Sequence, residues 1–343
     1  MNKWQNIERQ RKINIIENIS KNKRLSPTSI EKDWWVTMVL RALFLCDCAD
    51  FMVFKGGTSL SKAWNLIERF SEDIDIAIDR SFFGFEGDLN KKTISKLRRA
   101  SCLYISTSLK EQLKHNLENM GIAGFLLFIP ETTDTTKDPQ IIELKYDSLF
   151  AEFEDLYIKE KVLIEIGSRS LIEPSRLIKI RSIIAESYPE SSFADSLIPI
   201  PTVIPQRTFL EKTFLLHEEF QKSEENIRIE RMSRHLYDLE RLMDTDFAKK
   251  ALEDVSLYQS IIKHRSKLNA ISGIDYSTHN PHCINFVPPK SIMEKWRNDY
   301  LYMQNAMIYG NSLPFDTLID RIIELNKRFR EINISFQHEK TNE

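Results

Sequence analysis

The chain has 343 residues, of which 42% are hydrophobic and 29% are charged, so it has enough apolar material for a folded core. Its 48 basic and 50 acidic residues leave a net charge of −2, which excludes a strong whole-molecule attraction to nucleic acid; such a partner needs a local basic patch. No apolar run is long enough to span a membrane and the charged N-terminus lacks a signal-peptide core, so we expect a cytoplasmic protein without membrane contact.

The first part of the chain predicts helices around a few short strands. Residues 4–20 are typical of a polar helix, and a second helix follows Ser26, which caps it, with Pro27 in its first turn. Apolar or alternating patterns predict further strands and helices. The strands are expected at 51–54, 73–78, 141–146 and 161–166, and the helices at 58–67 and 91–119. Together these elements predict an α+β fold with a small mixed sheet flanked by helices.

A Pro-rich stretch near residue 200 marks a change in composition. Pro199, Pro201 and Pro205 indicate a junction, and the chain beyond them has helical periodicity. The helices are expected at 207–221, 227–244, 247–264, 290–305 and 314–332. We therefore predict one domain over 1–200 and a helical domain over 201–343.

The strongest local motif is a glycine turn between a strand and a helix. The strand 51–54 is followed by Gly56 and Gly57, and Thr58 and Ser59 begin the helix. Glycines let the backbone approach a phosphate closely, and a helix N-terminus offers free N–H groups. Lys62, one turn later, is predicted to reach a phosphate oxygen. Gly-Gly-Thr alone is usually just a turn, and the spacing is not that of a P-loop.

Two aspartates follow this turn on the next strand. Asp73 and Asp75 are two residues apart, so their side chains point to the same face and their Cα atoms lie about 6.6 Å apart. Such a pair on a half-buried face calls for a cation, and Mg²⁺, with Mn²⁺ as a substitute, is the hard ion that carboxylates and phosphates share. A lone D-x-D is usually a solvated strand edge, but its position just after the glycine turn favours a metal-dependent nucleotide site.

A third carboxylate is expected from a neighbouring strand. Glu165 lies in the otherwise apolar strand 161–166, where an acid must be paired, protonated or bound to metal. An ion pair with Arg169 is the alternative explanation for Glu165, and Asp147 is the second candidate for the third ligand.

For two further sets of charged residues, the spacing along the chain does not decide between a structural and a functional role. Asp238 lies four residues after Arg234, and this spacing favours an ordinary intrahelical ion pair. Lys212 lies in an apolar helix and is able to reach inward to a phosphate. The basic run Lys91 to Arg99 is either a grip on a phosphate backbone or a solvated helix face.

Several stretches of the chain resemble the AbiEii-type nucleotidyltransferases, the toxins of bacterial toxin–antitoxin and abortive-infection systems. The resemblance covers most of residues 30–330, and the motifs occur in the family's order. They are EKDWWVTMVLRALF, KGGTSLSKAWNLIERFSEDIDIAI, KVLIEIGSRS, RTFLEKTFLLHEE, RMSRHLYDLERL and INFVPPKSIMEKWRNDYLYMQNAMIYG.

The resemblance implies a DNA polymerase β-like nucleotidyltransferase fold whose helical C-terminal domain completes the active site. It implies that Asp73 and Asp75 bind Mg²⁺, and that Lys212 and Asp238 are catalytic. The residues expected to bind the nucleotide are Gly56, Gly57, Thr58, Ser59, Lys62 and Ser71.

The same resemblance implies the reaction and its partners. It implies transfer of NMP from an NTP to RNA, with the tRNA 3′ end as the expected acceptor, and an antitoxin encoded nearby, in the setting of phage defence. Two alternatives remain: transfer to a protein side chain, and a non-catalytic RNA- or partner-binding module on the same fold.

Overall fold

The computed structural model describes residues 3–71, 73–131, 134, 137–150, 160–169, 172, 174–269 and 271–332. The chain divides into two compact units, Met1–Ile204 and Pro205–Glu343. In the described ranges, no helix has both the length and the apolar character that crossing a membrane requires.

The first unit is built on one mixed sheet, which confirms the predicted α+β class. Within the described residues seven strands pair in the order β3-β4-β5-β2-β1-β7-β6. The central pairs are β1 with β2, antiparallel, and β2 with β5, parallel. The strands are β1 (Met52–Lys55), β2 (Asp73–Ile78), β3 (Phe125–Phe128), β4 (Gln140–Tyr146), β5 (Lys161–Gly167), β6 (Ser175–Ile180) and β7 (Ile198–Val203).

Helices cover this sheet, and α2 is the most deeply buried of them. Almost all of its side chains are inaccessible, and Trp35 stacks on Tyr146 of β4 with the ring centroids 5.0 Å apart. A π-helical segment, Ile105–Leu109, joins α4 to α5, so the predicted helix over 91–119 is one continuous helical region. The helices are α1 (Arg9–Lys23), α2 (Pro27–Leu43), α3 (Gly56–Lys62), α4 (Lys91–Tyr104), α5 (Lys110–Asn119) and α6 (Ile183–Ser187).

Three strands, β3, β6 and β7, were not predicted from the sequence, and β7 lies in the Pro-rich stretch. That stretch was predicted to be a junction; the two units divide at its end, between Ile204 and Pro205, and residues 198–203 before this point pair with both β1 and β6. Pro199 and Pro201 alternate with buried Ile198 and Ile200, so the prolines share one face and the apolar side chains the other. Proline fits an extended backbone where its missing N–H removes no ladder bond.

The second unit is helical in its described residues. The helices are α7 (Pro205–Glu219), α8 (Ser233–Leu242), α9 (Asp246–Glu253), α10 (Val255–His264), α11 (Met293–Ala306) and α12 (Phe315–Arg330). The predicted helix 247–264 is interrupted at Asp254, whose side chain accepts a hydrogen bond from the backbone N–H of Leu257 and so caps α10.

A buried polar cluster holds the end of α7 to the loop after α10. Glu218 accepts hydrogen bonds from Arg265 (Nε, 2.6 Å) and from His279 (Nε2, 3.2 Å). Burial, and then the neighbouring His279, lower the pKa of His217 to about 4, so this imidazole is neutral at pH 7. Its Nδ1 accepts from the backbone N–H of Asn285 at 3.1 Å. These bonds satisfy polar groups that burial alone would destabilise.

The N-terminus of α2 provides a test of the sequence interpretation. As predicted, the Ser26 hydroxyl accepts a hydrogen bond from the backbone N–H of Ser29 (3.1 Å), and Pro27 occupies the first turn. We expect Ser26→Ala to lower the free energy of unfolding by about 1 kcal/mol, because one N–H loses its acceptor. Urea denaturation measures this. Ser26→Asp keeps an acceptor and is expected to stay close to wild type; equal losses in both variants would contradict the capping role.

Candidate active site

The three predicted carboxylates lie on one face of two adjacent strands. Asp73 and Asp75 are half-buried on β2, whereas the isoleucines between and after them are fully buried on the opposite face. In the parallel β2–β5 register Asp75 lies opposite Glu165 and Asp73 opposite Leu163. Glu165 is also half-buried and alternates with buried isoleucines. The sheet therefore brings the three acids together on the accessible face.

The glycine turn packs directly against one of these acids. β1 runs antiparallel to β2 with Lys55 opposite Asp75, and α3 begins at the next residue. Gly56 has a φ of +77°, which favours glycine, and a Cβ there would overlap the Asp75 carboxylate, 2.7 Å from its Cγ. The turn and the acidic strand are therefore in direct contact.

The second glycine has a different neighbour. A Cβ at Gly57 would lie 2.7 Å from Nη2 of Arg69 and 3.2 Å from Oγ of Ser71. Arg69 is 1% exposed. Arg69 was not predicted as a site residue; the available signal was an arginine four residues before the first aspartate of the acidic strand.

The hydroxyl groups expected to bind nucleotide are used inside the protein. Thr58 Oγ1 is hydrogen-bonded to the Ser71 hydroxyl (2.8 Å) and to the backbone carbonyl of Asp73. The Ser59 hydroxyl donates to the carbonyl of Gly56 at 2.8 Å. Both residues are almost fully buried. The Thr58 bonds fix α3 against the start of β2, and the Ser59 bond lies within α3.

Lys62 is not directed at a phosphate site in this structure. Its Nζ lies 2.5 Å from Oδ1 of Asp33 on α2, and both side chains are largely buried. The other oxygen of Asp33 accepts the backbone N–H of Ile183 at 2.7 Å. The expectation that Lys62 contacts the triphosphate is therefore replaced by a structural role, because burying a lysine requires a compensating anion.

Of the alternatives considered for Glu165 and the third acid, Asp147 lies away from the site, and Arg169 has a further acidic partner. Asp147 is six residues along the chain from Ile141, the β4 residue opposite Glu165, which places it about 20 Å away at the far end of the sheet. Arg169, considered as a partner of Glu165, donates through Nε to Asp138 at 2.7 Å.

Carboxylate oxygens suit Mg²⁺, and the three acids fit such an ion by their chemistry. In the described part of the chain no three His, Cys, Asp or Glu side chains are arranged as a ready-made metal site. Magnesium sites in phosphate-handling enzymes use one or two carboxylates and complete the shell with water and substrate phosphates, so a closed protein cage is not required.

In the second unit Lys212 and Asp238 form a buried ion pair. Nζ of Lys212 lies 2.9 Å from Oδ2 of Asp238, with the side chains 8% and 0% exposed, and 3.4 Å from Nδ1 of His235. The helix spacing favoured a pair between Asp238 and Arg234, whereas the tertiary structure brings Lys212 of α7 to Asp238 on α8.

The comparisons with known proteins agree with this architecture. Residues 39–321 match the family model described as nucleotidyl transferase AbiEii toxin of the type IV TA system. The fold is similar to that of MenT4, a nucleotidyltransferase toxin from Mycobacterium tuberculosis H37Rv, with a TM-score of 0.55, 14% identity and coverage of 95% of this chain and 91% of that chain. JHP933 from Helicobacter pylori has a TM-score of 0.43 and 15% identity, with coverage of 89% of this chain and 93% of that chain. The comparison with curated proteins found no match.

The ion pair of Lys62 predicts a large effect on stability. We expect Lys62→Met to lower the free energy of unfolding by about 3 kcal/mol, because it leaves the Asp33 carboxylate buried without its cation. The measurement is urea denaturation at pH 7. Lys114→Met is the control, since Lys114 and Glu118 are half-exposed at 4.0 Å and such pairs contribute about 0.5 kcal/mol or less. Similar small effects in the two variants would show that Asp33 does not depend on Lys62.

Proposed function

We propose, since the chain belongs to the AbiEii nucleotidyltransferase toxin family, that it transfers a nucleoside monophosphate from an NTP to RNA, with the 3′ end of tRNA as the acceptor. The family is that of toxins in type IV toxin–antitoxin systems, so an antitoxin partner accompanies the activity.

The observation that carries this proposal is the contact between the glycine turn and the acidic strand. Gly56 approaches the Asp75 carboxylate so closely that no side chain fits between them. A triphosphate on the backbone of the turn would therefore lie beside Asp73, Asp75 and Glu165. Nucleotidyl transfer requires this proximity, because the α-phosphorus must lie beside the groups that neutralise its charge.

The reaction follows from these positions. The N–H groups of the turn bind the phosphates, and the three carboxylates are the residues that would hold Mg²⁺, or Mn²⁺ in its place. When bound, the ion neutralises charge on the phosphates and the acceptor oxygen. The acceptor hydroxyl attacks the α-phosphorus and releases its proton to water, a P–O bond forms, and the bond to the leaving pyrophosphate breaks. The protein contributes mainly positioning and electrostatic stabilisation.

The buried pair of the second unit is assigned by its resemblance to the family's later motifs. We assign Lys212 to the triphosphate and Asp238 to the orientation of the Lys212 ammonium group. The 2.9 Å contact between them supports the orienting role, because a lysine has four flexible bonds and a buried carboxylate restricts them.

A basic helix face supports an RNA acceptor. Lys91, Lys92, Lys96 and Arg99 are exposed on α4, in the unit that carries the acids. Four cations on one helix suit a phosphate backbone, and they supply the local positive patch that the net charge of −2 does not.

Replacing the central acid tests the mechanism. We expect Asp75→Asn to reduce the labelling of total RNA by α-³²P-labelled NTPs by about 10²- to 10³-fold, because the variant loses a charge that stabilises the transition state. Asp147→Asn, at the far end of the sheet, is the control and is expected to label like wild type. Equal labelling by wild type and Asp75→Asn would refute the mechanism, and label that stays with protein after RNase treatment would show that the acceptor is a protein.

A separate expectation concerns the second unit. We expect Lys212→Met to reduce transfer about 100-fold, since the triphosphate loses a cation. The control is Lys222→Met, which removes an ammonium group from a partly exposed pair with Glu219. Steady-state rates are measured on preparations whose far-ultraviolet circular dichroism matches wild type. A folded Lys212→Met protein with wild-type rates would remove Lys212 from the active site.

A further inference from the structure

We infer that Arg69 is a positioning residue that sets the shape of the Gly56–Gly57 turn and through it the affinity for the nucleotide. This inference rests on the proposed function, since it concerns the same triphosphate site. Arg69 would act through the backbone of the turn, whereas Lys62 was expected to contact the phosphate directly.

The absence of a side chain at Gly57 has a different cause from that at Gly56. Gly56 needs glycine for its backbone, because its φ is +77°. Gly57 has no positive φ and lies within α3, so its backbone would accept other residues. The space is taken instead by the guanidinium group of Arg69, whose Nη2 lies 2.7 Å from the position of a Cβ.

The guanidinium group of Arg69 is buried and hydrogen-bonded, and the segment that follows it is tied to α3. Arg69 is 1% exposed, and its Nη1 donates to the backbone carbonyl of Phe70 at 3.3 Å. Ser71, two residues later, is hydrogen-bonded to Thr58 in the first turn of α3. A fully buried arginine keeps one geometry because its charge and donors must stay satisfied. The peptide that packs against it is fixed as well.

A charged side chain packs against each glycine of the turn. The Asp75 carboxylate occupies the space where a Cβ of Gly56 would lie, and the Arg69 guanidinium group occupies the corresponding space at Gly57. The peptide groups proposed to bind phosphate therefore lie next to an acidic and a basic side chain. Lys62 is paired to Asp33, whereas Arg69 is a basic side chain packed against this turn. A positive charge behind the peptide favours the binding of an anion on it.

This arrangement predicts a separation between binding and chemistry. Arg69 packs against the turn from within the protein and does not belong to the row of carboxylates. Losing it should weaken the binding of the nucleotide, while the rate at saturating nucleotide stays near that of wild type. A residue that acts in the chemical step would lower that rate instead.

The direct experiment uses the full chain and calorimetry. Wild type and Arg69→Met are titrated with ATP, CTP, GTP and UTP, each with Mg²⁺, and transfer kinetics are measured with the NTP that binds best. We expect Kd and KM for that NTP to rise about tenfold or more in Arg69→Met, with kcat changed less than about twofold. An unchanged Kd, or a loss confined to kcat, overturns the inference.

A second pair of variants keeps the test valid if Arg69→Met folds poorly. Gly57→Ala adds one methyl group against the guanidinium group and is expected to weaken NTP binding about tenfold. In Arg69→Ala the space is open, so Gly57→Ala should add little to the loss already present; additive losses would show that the two residues do not act through their contact.

The control for crowding is Gly167→Ala at the end of β5. A Cβ there would lie 2.9 Å from Oδ1 of Asp138, a similar overlap away from the turn. We expect this variant to lose stability in thermal unfolding without a change in Kd for the NTP. A Kd increase equal to that of Gly57→Ala would attribute the effect to general destabilisation and overturn the inference. If wild type itself neither binds nor transfers any NTP, the proposed function fails, which is a separate result.

Discussion

The close approach of Gly56 to Asp75 is the constraint on which the rest of the first unit depends. Two paired strands place Lys55 and Asp75 opposite each other, and the chain turns into α3 at the next residue. The turn therefore lies beside a carboxylate that would otherwise face water. Acids gathered on one half-buried face repel each other, and this repulsion favours a bound cation and the phosphates it accompanies. Because Gly56 has no side chain, the turn lies directly against the acidic face of β2.

The helix α2 holds this arrangement through its polar residues. Asp33 joins α3 to α6 by binding Lys62 and the backbone N–H of Ile183. Glu31, two residues before Asp33 on the buried helix, accepts hydrogen bonds from the residues that follow β4, and burial raises its pKa to about 7. The acidic residues of the stretch EKDWW thus attach α2 to the elements packed around it. Such attachments suit a site whose groups must hold their positions during phosphoryl chemistry.

In the second unit α7 combines two buried ion pairs on one helix. Lys212 pairs with Asp238 of α8, and Glu218 pairs with Arg265. Removing one partner of such a pair leaves an uncompensated charge, so both pairs fix the helix strongly. Glu218 and its partners fix the end of α7, and Asp238 fixes the position of the Lys212 ammonium group.

The sequence by itself determined the α+β class, the first helices, the glycine turn and the acidic strand. These features depend on local rules: Ser26 caps a helix, and Asp73 and Asp75 share a face because strand residues alternate. The tertiary structure decided which charges meet. Lys62 binds Asp33, Lys212 binds Asp238, and Arg69 lies under Gly57. The strand β7 was also missed, because the prolines that indicate a junction fit an extended strand once β1 and β6 lie beside it. Residues that pair across the fold but lie far apart in the chain leave no periodic pattern in the sequence. Which of them pair is therefore decided by the packing of the helices and strands.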